Sequence, residues 1–303
     1  MKILFAGASG LVGSALVPAL RLQGHEVVTL VRRPARREDE IAWNPAAGDL
    51  APAVLAATDA IVNLAGENIA AGRWTLVRKE ALRRSRVDST RTLVQALGRA
   101  EPRPRVLVNA SAVGFYGDRG DEVLTEDSLV GRGFLPDLCA EWETEAQAAE
   151  SLGVRVVRLR LGVVLAREGG ALARLLPLFR LGLGGRLGDG RAWMSWIELD
   201  DLVRVVSAAL TDPRLEGAIN AVAPGPVTNR DFTAALGRML HRPTILPVPR
   251  WLLELVYGEM AGATLLASAR VMPGRLLGGG FIFRQADITA ALRHIVGSQE
   301  TAS

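Results

Sequence analysis

A glycine-rich turn near the start of the chain places the strongest constraint on its fold. Residues 2–6 form a short, largely apolar run, as expected of a parallel strand that is covered on both faces. The turn 7–13 follows at once, and apolar residues at helical spacing then predict a helix over 11–23. Residues 25–31 predict a second strand. Together they indicate a βαβ unit of about thirty residues, from which doubly wound parallel sheets are built.

The turn itself, Gly-Ala-Ser-Gly-Leu-Val-Gly, predicts a binding site for the diphosphate of a dinucleotide. Glycines let the backbone turn tightly and approach the diphosphate, and the N-terminus of the following helix offers unpaired N–H groups. The alternative is a glycine turn in an α/β protein that binds no nucleotide, but the position between a strand and a helix favours the cofactor. The predicted contacts are Gly7, Ser9, Gly10, Leu11, Val12 and Gly13.

Two arginines at the end of the second predicted strand indicate which dinucleotide is bound. Proteins that bind NAD usually carry an acidic residue there for the ribose 2′-hydroxyl, whereas this chain has Arg32 and Arg33. Two guanidinium groups attract a 2′-phosphate through charge-assisted hydrogen bonds worth about 1.5–3 kcal/mol each. The alternative is a solvated basic loop, because Arg36 and Arg37 continue the run. We predict that the cofactor is NADP (NADPH).

The amino-acid composition limits the kinds of partner that the protein is expected to bind and the cellular compartment in which it is expected to lie. A formal net charge of +4 gives no strong support for nucleic-acid binding. The single cysteine, Cys139, excludes an internal disulfide and a multi-cysteine zinc site, and the three histidines are too scattered to indicate a metal cluster. No run of about 18 apolar residues predicts a membrane span. We therefore expect a cytoplasmic protein with no membrane or nucleic-acid partner and no metal.

Several segments along the chain together carry a likeness to a known family. They are the turn 7–13, the strand end Asn63-Leu64-Ala65-Gly66, the segment 111–117, and the stretches 66–69, 73–74, 85–87, 193–197, 220–224 and 280–283. On these residues the chain resembles the extended short-chain dehydrogenases/reductases, which include nucleotide-sugar epimerases and dehydratases. More narrowly, it resembles the atypical branch of epimerase family proteins, which carries a C-terminal domain of unknown function.

The resemblance implies an α/β fold, a Rossmann doubly wound parallel sheet with a smaller, interleaved C-terminal α/β substrate domain. We expect residues 1–165 to form the NADP-binding Rossmann domain. Residues 166–303 should form mainly the C-terminal substrate domain, with about 199–225 returning to the Rossmann domain. The stretch 243–283 either covers the site or forms a homodimer surface, and the sequence leaves both uses open.

The resemblance also implies further cofactor contacts. They are Leu64, Ala65 and Gly66 at a strand end, Arg86 on the helix that follows, and Val163 after a later strand. Small residues suit that strand end because ribose and diphosphate pass over it. For Arg86 the alternative is a solvated helix face, since other arginines lie beside it in the sequence.

The residues that would carry chemistry depart from the family pattern. The resemblance implies that Ser111 polarises the substrate oxygen, and it places Tyr116 at an aromatic position where it either donates a hydrogen bond or packs. The usual catalytic pair is a tyrosine with a lysine four residues later. That pair is missing, because the only other tyrosine is Tyr257 and the only lysines are Lys2 and Lys79.

A helix predicted over 134–152 should carry that pair, and its register puts Cys139 and Glu143 in the two places. A carboxylate in place of an ammonium reverses the local field and would raise the pKa of a neighbouring acid. Glu143 is therefore a candidate acid or base, with an exposed helix face as the alternative. Cys139 is interpreted as a small buried hydrophobe rather than a nucleophile, since no histidine lies near it in the sequence.

Three other segments have simpler interpretations. The acidic stretch 118–127 is predicted to be a solvated loop, 182–191 a mobile glycine-rich connection, and Asn229 the N-cap of a helix. Alternation along a strand puts Trp193 and Trp196 on opposite faces, so at most one of them lines a pocket.

Two functions from different classes are consistent with these patterns. The first is an NADP(H)-binding oxidoreductase or epimerase-like enzyme that acts on a small carbonyl or hydroxyl substrate without the tyrosine and lysine pair. The second is a catalytically silent NADP(H)-sensing protein whose bound cofactor changes its affinity for another protein. Turnover of NADPH with a panel of carbonyl compounds separates them.

Overall fold

The computed structural model of the chain describes residues 1–297, and a seven-stranded parallel sheet lies at its centre. The strands are β1 (Lys2–Ala6), β2 (Glu26–Val31), β3 (Glu40–Ala42), β4 (Ala60–Asn63), β5 (Val106–Ala112), β6 (Arg155–Leu161) and β7 (Gly217–Ala221). Their order across the sheet is β7-β6-β5-β4-β1-β2-β3, so the direction of winding reverses between β1 and β4. The predicted doubly wound α/β fold is confirmed.

Helices connect and cover these strands. They are α1 (Leu11–Leu22), α2 (Pro52–Ala56), α3 (Leu76–Arg99), α4 (Phe134–Gln147), α5 (Gly170–Arg180), α6 (Leu199–Thr211), α7 (Asn229–Met239), α8 (Arg250–Tyr257), α9 (Gly274–Gly278) and α10 (Ile288–Gly297). Within residues 1–297 there is no helix whose length and apolar character would let it cross a membrane.

The apolar residues of β1 show why the sheet is covered on both faces. Ile3 and Phe5 pack in a core with α1 and α6. Leu4 and Ala6, which alternate with them, pack in a second core with α3 and α4. Successive side chains of a strand point to opposite faces, so a strand between two helical layers is apolar at almost every position.

The C-terminal half first returns to the sheet and then builds a core of its own. α6 packs against α1, and β7 pairs in parallel with β6. After this return, α5, α7 and α10 enclose a third apolar core around Trp196 and Phe232. The indole N–H of Trp196 donates to the carbonyl of Gly225 at 2.8 Å, so this side of the tryptophan strand is core and not pocket lining.

Short elements complete the architecture. They are the 3₁₀ turns Pro45–Ala47, Val113–Tyr116 and Ala148–Leu152, the π turn Ala261–Leu265, and three strand pairs, Val163–Leu165 with Trp196–Glu198, Trp193–Met194 with Val227–Thr228, and Val123–Leu124 with Arg270–Val271. The predicted helix over 134–152 is thus an α-helix to Gln147 followed by a 3₁₀ turn.

Two local predictions from the sequence are wrong. Asn229 is the first residue of α7 and not its cap, because the Thr228 side chain accepts a hydrogen bond from the first turn. The glycines of 182–191 are partly packed in the interior, since a Cβ on Gly185 would lie 1.6 Å from the carbonyl oxygen of Leu246. Glycine is needed there for a close approach of two backbones, which fixes the segment.

Candidate functional site

The sheet topology creates a crevice at the carboxyl ends of β1 and β4. The connections that follow β1 and β4 run in opposite directions, and this opens a crevice between the two strand ends. Ligands of open α/β sheets bind in such a crevice. The glycine turn 7–13 follows β1, and the turn 64–66 follows β4, so both predicted cofactor segments lie at this edge.

Two glycines of the first turn are required by the packing of the protein itself. Gly7 has a φ of +90°, and a Cβ there would lie 2.6 Å from the carbonyl oxygen of Leu64. A Cβ on Gly13 would lie 2.3 Å from the oxygen of Gly7. On Gly10 it would make only an ordinary contact at 3.5 Å, so the protein's own packing leaves this position free to face a ligand.

The N-terminus of α1 has the chemistry that a diphosphate needs. Gly10 is the N-cap and supplies no side-chain acceptor, and the first turn carries no acidic residue. The N–H groups of Leu11 and Val12 belong to a first turn, which has no intrahelical partner. Ser9 and Gly10 are exposed. The cradle therefore fits the diphosphate of a dinucleotide in both shape and charge.

The structure separates the roles of the two arginines after β2. Arg33 donates from Nη1 and Nη2 to the two carboxylate oxygens of Glu40, each at 2.8 Å. Arg32 is exposed, and it has no hydrogen bond or ion pair to any residue in the range 1–297. Arg33 is thus held by the protein, while Arg32 is available to an outside anion.

The Glu40 carboxylate is the reason that Arg33 is fixed. It is almost fully buried, and it also accepts a hydrogen bond from the backbone N–H of Arg36 at 2.9 Å. The Arg33 hydrogen bonds, followed by that of Arg36, lower the pKa of Glu40 to about 2.

We expect Glu40→Gln to make the stability of the protein less dependent on pH. A carboxyl whose pKa is lowered by folding stabilises the fold above its unfolded pKa, near 4.5, and this stabilisation is lost as pH falls toward about 2. Thermal unfolding followed by circular dichroism should therefore show a melting temperature below wild type at neutral pH, with the gap closing in acid. Glu38→Gln, an exposed change two residues away, is the control. A gap of equal size at both pH values would contradict this.

The turn after β4 is shaped by a buried amide. The Nδ2 of Asn63 donates to the Oδ1 of Asn109 at 2.7 Å and to the hydroxyl of Thr90 at 2.9 Å. Its Oδ1 accepts from the N–H of Ala65 at 3.2 Å. Leu64 and Ala65 are half-buried and Gly66 is exposed, so the predicted contacts lie at the crevice.

Val163 begins the short strand that follows β6. Its N–H donates to the carbonyl of Ser195 at 2.9 Å, and its side chain is half-buried. The parallel pair with Trp196–Glu198 therefore fixes this residue.

The three predicted catalytic residues meet in one buried network. The hydroxyl of Ser111 donates to the Oε1 of Glu143 at 2.7 Å. Arg160 links this pair to the third residue, because its Nε lies 2.8 Å from the same Oε1 and its Nη1 donates to the hydroxyl of Tyr116 at 2.9 Å. All four side chains are almost fully buried.

Tyr116 is a core residue whose hydroxyl group is bonded within the protein. None of its surface is exposed, and its single hydroxyl proton lies between the carbonyl of Thr125 at 2.9 Å and the Oδ1 of Asn220 at 2.7 Å. Burial raises its pKa, with the charge of Arg160 opposing this shift. Of the two roles considered from the sequence, packing is the one that this environment supports.

The surroundings of Glu143 support a buried ion pair, and its expected acid or base role stays a prediction. Arg160 binds both carboxylate oxygens, at 2.8 Å from Nε and 3.0 Å from Nη2, and Arg158 adds a second guanidinium at 3.8 Å. The alternative interpretation of Glu143, an exposed helix face, is wrong because Glu143 is buried. Arg160 offsets part of the negative charge at this position, although that charge still contributes to the raised pKa of Cys139. The hydroxyl of Ser111 donates to the Glu143 carboxylate.

Cys139 lies on α4, one helical turn before Glu143. It is buried, and that burial, followed by the charge of Glu143, raises its pKa to about 12. The thiol therefore stays protonated, in agreement with its interpretation as a small buried hydrophobe.

Arg86 is half-buried on α3, beside Gly66 of the turn after β4. Its Nη2 donates to the carbonyl of Glu67 at 2.9 Å, and its Nη1 donates to the carbonyl of Leu82 at 3.1 Å. The guanidinium carbon lies 5.4 Å from the ring centre of Trp142. Desolvation lowers its pKa. A freely solvated helix face is therefore wrong for this residue, while its predicted cofactor contact stays a prediction.

The acidic stretch 118–127 is only partly a solvated loop. Glu126 is buried, because its Oε1 accepts from the N–H of Asn220 at 3.0 Å and from the N–H of Arg275 at 3.2 Å. Sequence reasoning missed this carboxylate and Asn220.

Trp193, on the opposite face from Trp196, is half-exposed and stacks on the guanidinium of Arg270.

One cluster of metal-binding residue types was not visible from the sequence. Ligand atoms of Glu198, Asp200 and His294 lie within 4.8 Å of one another. Glu198 already serves as the N-cap of α6, where it accepts from the N–H groups of Asp200 at 2.9 Å and Asp201 at 3.3 Å. The helix start thus explains this carboxylate, and the absence of a metal stays a prediction.

Two family models match the chain. The NAD dependent epimerase/dehydratase family matches residues 3–222. A domain of unknown function, DUF1731, matches residues 248–295. The first match covers more than half of the chain, and the second covers the segment that contains α8, α9 and most of α10.

Relatives and solved structures agree with these matches. "Epimerase family protein Mb2239" of Mycobacterium bovis is 46% identical over 290 residues, which are 96% of this chain and 96% of that protein. The crystal structure of human epimerase family protein SDR39U1 (isoform2) with NADPH has a TM-score of 0.89 and 33% identity, covering 98% of this chain and 99% of that one. A nucleoside-diphosphate sugar epimerase from Corynebacterium glutamicum has a TM-score of 0.82 and 38% identity, covering 98% of this chain and 58% of that one.

Proposed function

Because this chain belongs to the NAD dependent epimerase/dehydratase family, we propose that it binds NADP(H) and acts as an oxidoreductase or epimerase-like enzyme on a small carbonyl or hydroxyl substrate. The observation that carries the proposal is the crevice itself, with an uncapped helix N-terminus at one side and an unpaired Arg32 at the other. The human relative, which was crystallised with NADPH, supports the phosphorylated cofactor.

Each part of the cofactor has a candidate partner in the crevice. The backbone from Ser9 to Gly13 would bind the diphosphate, and the small turn 64–66 would leave room for it to cross β4. Arg32 would bind the 2′-phosphate, while Arg33 and its carboxylate partner Glu40 would line the same end. Val163 would lie at the opposite end. When bound, the cofactor supplies or accepts a hydride.

We expect Arg32→Gln to weaken NADPH binding by about ten- to a hundredfold, because one charge-assisted hydrogen bond to the 2′-phosphate is worth about 1.5–3 kcal/mol. NADH affinity should stay at its wild-type value, since NADH has no 2′-phosphate. The measurement is titration of each cofactor by isothermal calorimetry.

Arg36→Gln is the matched control for this change. It removes the same charge from the same loop, and the fold uses only the backbone N–H of Arg36 in its bond to Glu40. It should leave NADPH affinity within about twofold, because an exposed charge acts weakly at a distance. Equal losses in the two variants, or equal affinity of the wild type for NADH and NADPH, would contradict a specific phosphate contact.

The buried network determines which hydrogen bonds Ser111 can make with a substrate. Ser111 has one proton, and that proton is donated to Glu143. Its lone pairs remain, so Ser111 can accept a hydrogen bond from a substrate hydroxyl in this arrangement, whereas donation to a carbonyl requires the Ser111 hydroxyl to turn away from Glu143. The geometry therefore favours recognition of a hydroxyl group at this position.

A second candidate, an NADP(H)-sensing protein without turnover, is favoured by the same network. Ser111, Tyr116, Glu143 and Arg160 satisfy one another's hydrogen bonds inside the fold. Loss of the 340 nm absorbance of NADPH with members of a panel of aldehydes and ketones would support the enzyme, and its loss in Ser111→Ala would assign the serine. Absence of turnover over the whole panel, with NADPH bound, would support the sensor.

A further inference from the structure

The segment 245–257, which ends in α8, leaves a large apolar surface exposed. Among the residues of α8, Leu253 alone is buried. A helix that is apolar on most of its surface is normally covered by other parts of a protein. The exposed large apolar side chains of the segment, which together are the α8 face, are Ile245, Leu246, Trp251, Leu252, Leu255, Val256 and Tyr257.

The centre of the α8 face is a ridge of two side chains. Successive residues of an α-helix are about 100° apart around its axis. Trp251 and Leu255 lie two positions before and two positions after the buried Leu253, so both point away from the protein. Each is 64% exposed.

The two flanks of this ridge differ in chemistry. One flank carries Leu252 and Val256, which are both exposed. The other flank carries Arg250 and Glu254, and the Arg250 Nε donates to the Oε1 of Glu254 at 2.7 Å. The charged flank therefore has a positive residue one helical turn before a negative residue.

This pattern is complementary to itself when a second α8 packs antiparallel on the ridge. A two-fold axis at the level of Leu253 places Trp251 of each copy against Leu255 of the other copy. The same axis keeps each flank on its own side, so that the apolar flanks meet. Because the chain direction is reversed, Arg250 of each copy comes beside Glu254 of the other copy on the charged flank.

The area of the α8 face is also that of a dimer interface. If a large apolar side chain presents about 150 Å² when fully exposed, the seven side chains present about 600 Å² at the exposures that the structure gives them. A standard interface buries about 800 Å² on each partner, of which about 56–65% is apolar. One α8 face on each copy therefore supplies the apolar area that a stable dimer needs.

We propose that the α8 face is the interface of a homodimer, in which α8 packs antiparallel against α8 of a second copy. Of the two uses that the sequence leaves open for 243–283, this assigns 245–257 to a homodimer surface. A lipid bilayer is the competing occupant, since tryptophan and leucine on an exposed helix also suit a membrane surface. Anionic headgroups would repel Glu254, whereas a second copy offers it Arg250.

Sedimentation equilibrium of the full chain tests the proposal. We expect a dimer with a Kd of about 1 µM or below, as found for interfaces of this size. Leu255→Glu should weaken the dimer at least about a hundredfold, because it puts a carboxylate into the apolar centre of the interface. Leu22→Glu is the matched control, since Leu22 is 90% exposed at the end of α1, and the Kd should stay within about twofold of wild type.

Exchanging the two charges of α8 tests the antiparallel arrangement. Arg250→Glu alone should weaken the dimer about tenfold, because it places like charges beside one another across the two-fold axis. The double variant that combines Arg250→Glu with Glu254→Arg restores opposite charges there. Its Kd should return to within about threefold of wild type. Equal weakening by the single and double variants would exclude the antiparallel pairing.

The remaining outcomes overturn the proposal. A wild type that is still monomeric at about 100 µM, a hundred times the expected Kd, has no such interface. A dimer that Leu255→Glu leaves unchanged is built from another surface. Sedimentation of a monomeric wild type with vesicles of phosphatidylserine and phosphatidylcholine would assign the α8 face to a bilayer. Circular dichroism establishes that each variant is folded, and if Leu255→Glu is not, the charge exchange decides.

Discussion

Replacing Glu143 by glutamine is expected to lower the free energy of unfolding by about 3–5 kcal/mol, the usual cost of leaving one partner of a buried ion pair without the other. The Arg160 guanidinium, which is almost fully buried, would lose its counterion while it remains stacked 3.5 Å from the ring centre of Phe115. Urea denaturation of both proteins measures this difference directly.

A matched control lies two residues along the same helix. Glu145→Gln breaks the pair with Arg91, whose side chain is 41% exposed, and should cost no more than about 1 kcal/mol. Replacing both Glu143 and Arg160 by methionine should recover much of the stability lost in Glu143→Gln, because neither charge of this buried pair then remains. Similar decreases in the free energy of unfolding for Glu143→Gln and Glu145→Gln would show that the buried ion pair stabilises the fold no more than the exposed one.

Gly13→Ala is expected to weaken NADPH binding at least about tenfold and to destabilise the fold by about 1–3 kcal/mol, as overpacked interiors do. The added methyl would lie 2.3 Å from the oxygen of Gly7 and 2.7 Å from the Cα of Ala8, so α1 must move away from the turn. That movement displaces the N–H groups proposed to bind the diphosphate. Calorimetric titration with NADPH and thermal unfolding measure the two effects.

Gly10→Ala provides the comparison within the same turn. Its methyl would lie 3.5 Å from the Gly7 oxygen, an ordinary contact, so the melting temperature should stay close to wild type. A loss of NADPH affinity without a loss of stability would then locate the ligand over this residue. A melting temperature for Gly13→Ala equal to that of Gly10→Ala would refute the packing argument.

The fold was predictable because its first βαβ unit is formed by consecutive residues of the chain. β1, the glycine turn, α1 and β2 occupy the first 31 residues, and each has a pattern of its own. The bounds of Lys2–Ala6 are those predicted. Asn229 was misassigned by one residue, because Thr228 is the residue that caps α7. The side chain of Asn229 instead accepts from the N–H of Leu187, a contact 42 residues earlier in the chain that the local pattern does not show.

The candidate site was less predictable, because its partners lie on different strands. Arg160 meets Glu143 only because β6 lies beside β5 and below α4. The sequence contained one signal that could have found it. Arg160 is a charged residue in a strand that both helical layers cover, and a buried arginine requires an acidic partner.

Tyr116 illustrates the same limit. The resemblance places its aromatic ring near the site, but the residues that accept its hydroxyl proton, Thr125 and Asn220, belong to a loop and to β7. Asn220 lies on a strand that joins the sheet about a hundred residues after Tyr116, so the local sequence pattern around Tyr116 does not show this hydrogen bond. The direction of a side chain at the end of a strand therefore has to come from the structure.

The buried carboxylate of Glu126 has a consequence for anyone who recombines this protein with its relatives. It joins the loop after β5 to β7 through Asn220 and to the DUF1731 segment through Arg275. In a chimera that grafts a foreign C-terminal segment at residue 248, the new backbone must place an N–H where that of Arg275 lies, or the Glu126 carboxylate loses one of its two amide donors. Grafts that also transplant the loop containing Glu126 should be the ones that express well.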